Sequence, residues 1–246
     1  MALTPTQQLQ INHCSVRRFL DKPLEPGQLE ALVRCGQAAA TSSFIQAYSV
    51  IRVTNHTARR AIAVAAGGQV WIEKAAEFLV FCADLKRVNQ VCEALGRGAL
   101  EGYSEHGLAA VIDVALMGQN LMLAAESQGL GGVFIGGIRN QPEVVVEQLK
   151  LPHQVVPLFG MCLGWPDADT EVKPRMPVDC ILHQDQYQEM LPHSLAEYDS
   201  LMSQYYAERG SNVKMTDWSN ATAQAMQGKK REHMLEFLQS QGFFVC

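Results

Sequence analysis

Apolar residues recur at helical spacing through Leu108, Val111, Ile112, Ala115 and Leu116, and from there to Ala125 the chain is apolar almost all round. That pattern predicts a helix buried on most sides, either in a core or in a subunit interface. Gly129 supplies its stop, because glycine adopts the left-handed conformation just beyond a helix end. A second helix is predicted over residues 194–209, opened by a Ser194-x-x-Glu197 capping box and closed by Gly210. Further helices are predicted over residues 26–40, 57–66, 142–149 and 231–241, besides one at the N-terminus. Short β-rich runs fall at residues 48–53, 78–83, 132–135, 155–163 and 178–183. These intervals suit helices covering both faces of a central mixed sheet. Residues 88–102, with three glycines and little periodicity, read as partly loop.

The 246 residues are 48% hydrophobic, and a chain this long can bury about 70% of its extended surface, so a real core is expected. No repeat, low-complexity segment or Pro/Ser-rich linker divides it, so residues 1–246 read as a single domain. A net charge of -5 argues against a nucleic-acid partner. The seven cysteines include no C-x-x-C pair, which excludes a zinc ribbon and a disulfide framework, and most sit in apolar runs as buried thiols would. The first residues lack the basic and apolar regions of a secretory signal. Residues 108–125 are long enough to suggest a membrane span, but Asp113 and Gln119-Asn120 interrupt them at a cost in lipid. The expectation is a cytoplasmic protein with no membrane partner.

Four segments carry candidate chemistry. His13-Cys14-Ser15-Val16-Arg17 groups cations and a hydroxyl in a turn, which suits a phosphate; a solvated basic turn is the alternative. Lys173-Pro174-Arg175 is held extended by Pro174 and Pro177, so Lys173 and Arg175 point to one side and form a pre-organised anion site or a stiff surface loop. Gly129 to Gly137 is glycine-rich around a predicted strand. Its spacing is wrong for G-x-G-x-x-G, which excludes a Rossmann site, yet paired glycines let backbone approach a flat ligand. Thr41-Ser42-Ser43 and Gln69 offer hydroxyls and a carboxamide to the polar edge of a heterocycle, or merely cap a helix and line a loop. No G-x-S-x-G elbow or H-E-x-x-H occurs. His183 and Asp185 lack further metal ligands at a matching spacing, so no metal site is expected. Cys14, beside His13 and near Arg17, is the one thiol in an electropositive setting.

Read together, these segments resemble the oxygen-insensitive NADPH nitroreductase and flavin reductase P branch of the nitroreductase family. The resemblance rests on His13 to Arg17, Ala75 to Cys82, Ala124 to Asn140, Leu158 to Gly164, Lys173 to Arg175 and the Tyr-Tyr-x-x-Arg-x-Ser-Asn run from Tyr205 to Asn212, in that order over nearly the whole length. It implies an α+β fold, a three-layer α-β-α sandwich around a mixed, largely antiparallel sheet, in an obligate homodimer with FMN at the subunit interface. The part after about residue 190 would extend over the partner and the nucleotide site. The flavin contacts it implies are His13, Cys14, Ser15, Arg17, Thr41, Ser42, Ser43, Gln69, Phe134, Ile135, Gly136, Gly137, Lys173 and Arg175, and those for NADPH are Arg209 and Lys214. Cys14, Thr41 and Phe134 stand where arginine, serine and tyrosine are usual. The implied activity is two-electron reduction of nitroaromatics, quinones or similar acceptors by NADPH in a ping-pong cycle; the alternative is reduction of free FMN for a partner enzyme. No side chain is expected to act as a catalytic acid or base, because FMN carries the chemistry.

Overall fold

The computed structural model describes residues 2–168, 170–210, 213–228 and 231–246. The chain divides into two compact units, residues 1–170 with 231–246, and residues 171–230.

The first unit is organised by the strand β2 (Glu77–Asp84), in which all eight positions are buried. Successive side chains alternate between its faces, so a strand this apolar must be covered on both. Leu79, Phe81 and Ala83 enter one core, while Phe78, Val80 and Cys82 enter a second. Four strands form the sheet in the order β1 (Tyr48–Arg52), β2, β4 (Val155–Gly164), β3 (Gly131–Ile135), and every pairing is antiparallel. After the N-terminal helix α1 (Pro5–Ile11), helices α2 (Gln28–Gln37) and α6 (Ser104–Ser127) cover the first face. Helices α3 (His56–Ala65), α4 (Trp71–Lys74) and α7 (Pro142–Leu149) cover the second. The expected α+β sandwich of three layers is therefore present.

One irregularity shapes β4. Phe81 faces Phe159 but Cys82 faces Pro157, leaving Leu158 as an extra residue. Before this bulge the even-numbered Val156 and Leu158 enter the first core; beyond it the odd-numbered Met161 and Leu163 do. Pro157, which lacks an N–H, sits beside it, where a proline is tolerated in a central strand.

The long apolar helix is α6. By length and composition alone it could cross a membrane, but Val114, Leu121 and Met122 are fully buried in the first core. It ends as predicted: Gly129 has φ 79°, Gly129 N–H donates to Glu126 O and Leu130 N–H to Ala125 O, a Schellman pair. Its start has no side-chain cap; the carbonyl oxygen of Cys246 accepts from both the N–H and the hydroxyl of Ser104.

Several expected elements differ. Residues 178–183 are not a strand; a short 3₁₀ turn occupies Val178–Cys180, and Val178, Ile181 and Leu182 are exposed, with no strand paired to them among the described residues. The capping box does not form, because α8 (Pro192–Glu208) begins two residues before Ser194, with Pro192 in its first turn. Residues 88–102 are half helical: α5 (Lys86–Ala94) precedes a loop in which Gly96, Gly98 and Gly102 are all left-handed. The predicted last helix is shorter, α10 (Met234–Ser240). The pattern also missed α9 (Trp218–Gly228), which buries no residue and so carries no stripe to read; the Asp217 carboxylate holds its start by accepting the Asn220 N–H at 2.7 Å.

Phe78 is fully buried in the second core and its ring fills the space beside Gly160. Phe78→Ala is expected to lower the unfolding free energy by about 3–5 kcal/mol, measured by urea denaturation.

Candidate functional site

The N-terminal segment runs along the free edge of β3. Val16 N–H donates to Gly132 O at 2.9 Å, and a side chain at Gly131 would strike Val16. This lays His13 to Arg17 beside the glycine-rich strand. The Nδ1 of His13 lies 2.5 Å from Oε1 of the largely buried Glu126 at the end of α6. Cys14 Sγ lies 2.5 Å from the Thr170 hydroxyl. Arg17 is exposed, its guanidinium 5.9 Å from the centre of the Trp71 ring.

Trp71 leads to the next predicted residue. Its indole N–H donates to Gln69 Oε1 at 3.2 Å, while Gln69 Nε2 donates to Ala66 O at 2.9 Å. Gln69 in turn touches Gly137, where a Cβ would meet Ala66 O at 2.5 Å and the Gln69 amide closer still. Only glycine fits between them. Gly136 and Gly137 begin a 3₁₀ turn, Gly136–Asn140, directly after β3. Arg139 in that turn donates from Nη1 to the carbonyl of the bulge residue Leu158, which fixes the glycines to the sheet. Burial, with the neighbouring charge of Arg231, pushes the Arg139 guanidinium below its usual pKa. Ile135 is buried, and the Phe134 ring packs edge-on against Phe159 at 5.3 Å, so Phe134 presents backbone rather than ring at the strand end.

Thr41, Ser42 and Ser43 are fixed from α6. The fully buried Asp113 accepts the N–H of Ser42 at 2.8 Å and of Ala47 at 3.2 Å. Ser43, Phe44 and Gln46 have φ of 47°, 57° and 55°, each a strained setting for a residue with a side chain. The Thr41 hydroxyl oxygen is buried and has no hydrogen-bond partner among the described residues.

The second unit holds the remaining cations. Residues 171–177 carry no helix or strand, and Lys173 and Arg175 both lie near α8, Lys173 by Tyr206 and Arg175 within electrostatic reach of Tyr198. The Lys173 ammonium lies 5.2 Å from the centre of the Tyr206 ring, and the Arg209 guanidinium lies 5.0 Å from it. Lys214 N–H donates to Tyr206 O at 3.1 Å. Two predicted cations, Lys173 and Arg209, thus meet the Tyr206 ring, while Lys214 is joined to Tyr206 through backbone alone. In the sequence Tyr206 figures only as part of a motif, although an aromatic three residues before an arginine is a readable signal for a ring-and-cation platform. Ser211 and Asn212, which complete that motif, lie outside the described residues. Asp113, Glu126 and Trp71 were not anticipated as site residues either; each contacts a predicted residue.

The first unit therefore lays the His13–Arg17 segment along the edge of β3, sets Gln69 beside the glycine turn that follows that strand, and holds the Thr41–Ser43 loop from α6. Cationic and hydroxyl donors of this kind suit a phosphate, and the partnerless Thr41 hydroxyl suits the polar edge of a heterocycle, so the residues fit a flavin mononucleotide.

Comparison with known proteins agrees with the fold. The nitroreductase family model matches residues 12–165 and the C-terminal domain model of the same family matches residues 173–245. The oxygen-insensitive NADPH nitroreductase of Salmonella typhimurium is 44% identical, over 98% of this chain and 99% of its own. The FMN reductase (NADPH) of Bacillus subtilis is 39% identical, over 95% and 96%. The crystal structure of nitroreductase A from Vibrio parahaemolyticus superimposes with a TM-score of 0.91 at 39% identity, covering 99% of each chain. The chain belongs to the nitroreductase family.

Among its thiols, Cys82 and Cys162 are buried in the second core, and burial pushes both well above the ordinary range. Cys35 and Cys246 are exposed. Iodoacetamide at neutral pH is expected to label Cys35 and Cys246 in the native protein and to leave Cys82 and Cys162 unmodified until denaturant is added, read by peptide mass spectrometry.

Proposed function

We propose that this protein is an FMN-dependent oxidoreductase that takes two electrons from NADPH and delivers them to nitroaromatics, quinones or similar acceptors. The observation that carries this reading is the pairing of the His13–Arg17 segment with the edge of β3, whose far end leads into the glycine turn that Gln69 packs against. Bound FMN supplies the hydride chemistry, so the chain needs no catalytic acid or base of its own. Its residues bind and orient.

Arg17, His13 and Ser15 donate to the flavin phosphate, with Lys173 and Arg175 adding charge-assisted contacts; Cys14 stands in this group without a fixed cation. The backbone at Ile135, Gly136 and Gly137 lets the ring approach closely, and Gln69 with Thr41, Ser42 and Ser43 meets its polar edge. Arg209 and Lys214 grip the 2′-phosphate of NADPH. NADPH and acceptor take turns at one open face, which gives ping-pong kinetics.

The protein works as a cytoplasmic homodimer. Leu108, Ile112 and Leu116 are four residues apart on α6 and each about half exposed, an apolar stripe that a second copy covers. The part after about residue 190 extends over that partner and the nucleotide site, and residues 1–246 act as one nitroreductase-like domain. Reduction of free FMN for a partner enzyme is the second reading, favoured by the relative named as an FMN reductase.

The visible spectrum of the purified protein tests the proposal. Flavin absorbance that bleaches on anaerobic NADPH, with parallel double-reciprocal lines in steady state, is expected; a protein that stays colourless after soaking in FMN overturns it. Arg209→Ala is expected to raise the KM for NADPH about tenfold or more while leaving that for NADH unchanged, since a charge-assisted contact contributes about 1.5–3 kcal/mol. Comparing turnover on a nitrofuran and on free FMN separates the two readings.

A further inference from the structure

We propose that Asp113 is the positioning residue for the loop of residues 41–47, an inference that rests on the reading of Thr41, Ser42 and Ser43 as flavin contacts. Its carboxylate is completely buried on α6 and reaches both ends of the loop, Oδ1 accepting from Ser42 N–H and Oδ2 from Ala47 N–H. Between those two anchors three of four residues sit in the left-handed region. Side chains with a Cβ leave that region unless the surroundings hold them there. Within the loop, Phe44 N–H to Thr41 O and Ile45 N–H to Ser42 O join loop residues to one another, while Tyr48 N–H to Gln46 O and Asp84 N–H to Ala47 O tie only its last residues to β1 and β2. Asp113 ties the loop to the core helix.

The choice of side chain fits the task. A carboxylate offers acceptors on both oxygens and no donor, so it satisfies two backbone N–H groups at once. An asparagine of the same shape would turn an NH₂ group toward one of them, leaving that donor opposed by another donor. Fixing the two ends sets the span of the loop. That span places the partnerless Thr41 hydroxyl and, at the tip, the Phe44 side chain, which is 81% exposed. Asp113 does not face the ligand itself; it prepares the loop before the ligand arrives, so that ordering is not charged against binding.

The test measures amide exchange and FMN affinity on the full-length protein. In FMN-free wild type the Ser42 and Ala47 amides are expected to exchange slowly, because the loop is held without ligand. Asp113→Asn is expected to speed exchange of one or both at least tenfold and to raise the FMN dissociation constant, read by flavin fluorescence quenching, about tenfold, the loss of one hydrogen bond to a charged group. Asp113→Glu, which keeps both acceptors, is expected to recover part of that affinity. Faster exchange in Asp113→Asn with FMN affinity within twofold of wild type overturns the proposal, since the contact would then be structural only. Fast exchange of both amides in FMN-free wild type, slowed only by added FMN, also overturns it, and that result needs no variant to fold. A wild type that takes up no FMN at all removes the flavin reading and this proposal together; one that binds FMN while failing either other criterion removes the proposal alone.

Discussion

The structure of the first unit follows from a strand that has no polar side. β2 buries every residue from Glu77 to Asp84, so neither face can meet water, and the chain must supply a helical layer on each. The long helix α6 fills one side and the α3–α4–α7 group the other. Layers on both faces leave the sheet open only at its edges and at the ends of its strands. The candidate cofactor groups occupy such a place, with the N-terminal segment on the edge of β3 and the glycine turn at its end. Even the buried polar groups of β2 are matched: Glu77 accepts two hydrogen bonds from Arg52, and Asp84 accepts one from Ser49.

Much of this was legible in the sequence because it depends on periodicity. The all-round apolar run of α6, the four real strands and α7 were read from spacing alone, and the Gly129 stop was read from one residue. The failures share a cause. Residues 178–183 look like a strand locally, but strand pairing is a property of the neighbours, and among the described residues no strand pairs with them. The Ser194 box lost to Pro192, whose fixed φ starts a helix earlier than a side-chain cap two residues on. α9 has no buried face and so no pattern.

The candidate site divides in the same way. The residues proposed to face a ligand carry recognisable chemistry: cations, hydroxyls and glycines. Residues that hold them in place do not. Asp113 looked like an interruption in an apolar helix, and only the fold shows its two oxygens meeting two backbone amides 71 and 66 residues away in sequence. Glu126 is similar toward His13, and Tyr206 toward Lys173: each contact joins residues that no local motif spans.

The extra residue in β4 has a consequence for how the sheet assembles. A regular strand that slides by two positions keeps its inward and outward faces, so such mispairings cost little and are hard to avoid. In β4 the parity of core-facing residues reverses at Leu158, so a two-step slide would bring the reversal opposite the wrong part of β2 and turn Leu158 or Met161 away from its core. The Arg139 guanidinium gripping the Leu158 carbonyl adds a second mark on the same spot. The bulge thus acts as an index mark along the strand, allowing one alignment of the two central strands and, through Arg139, one placement of the glycine turn.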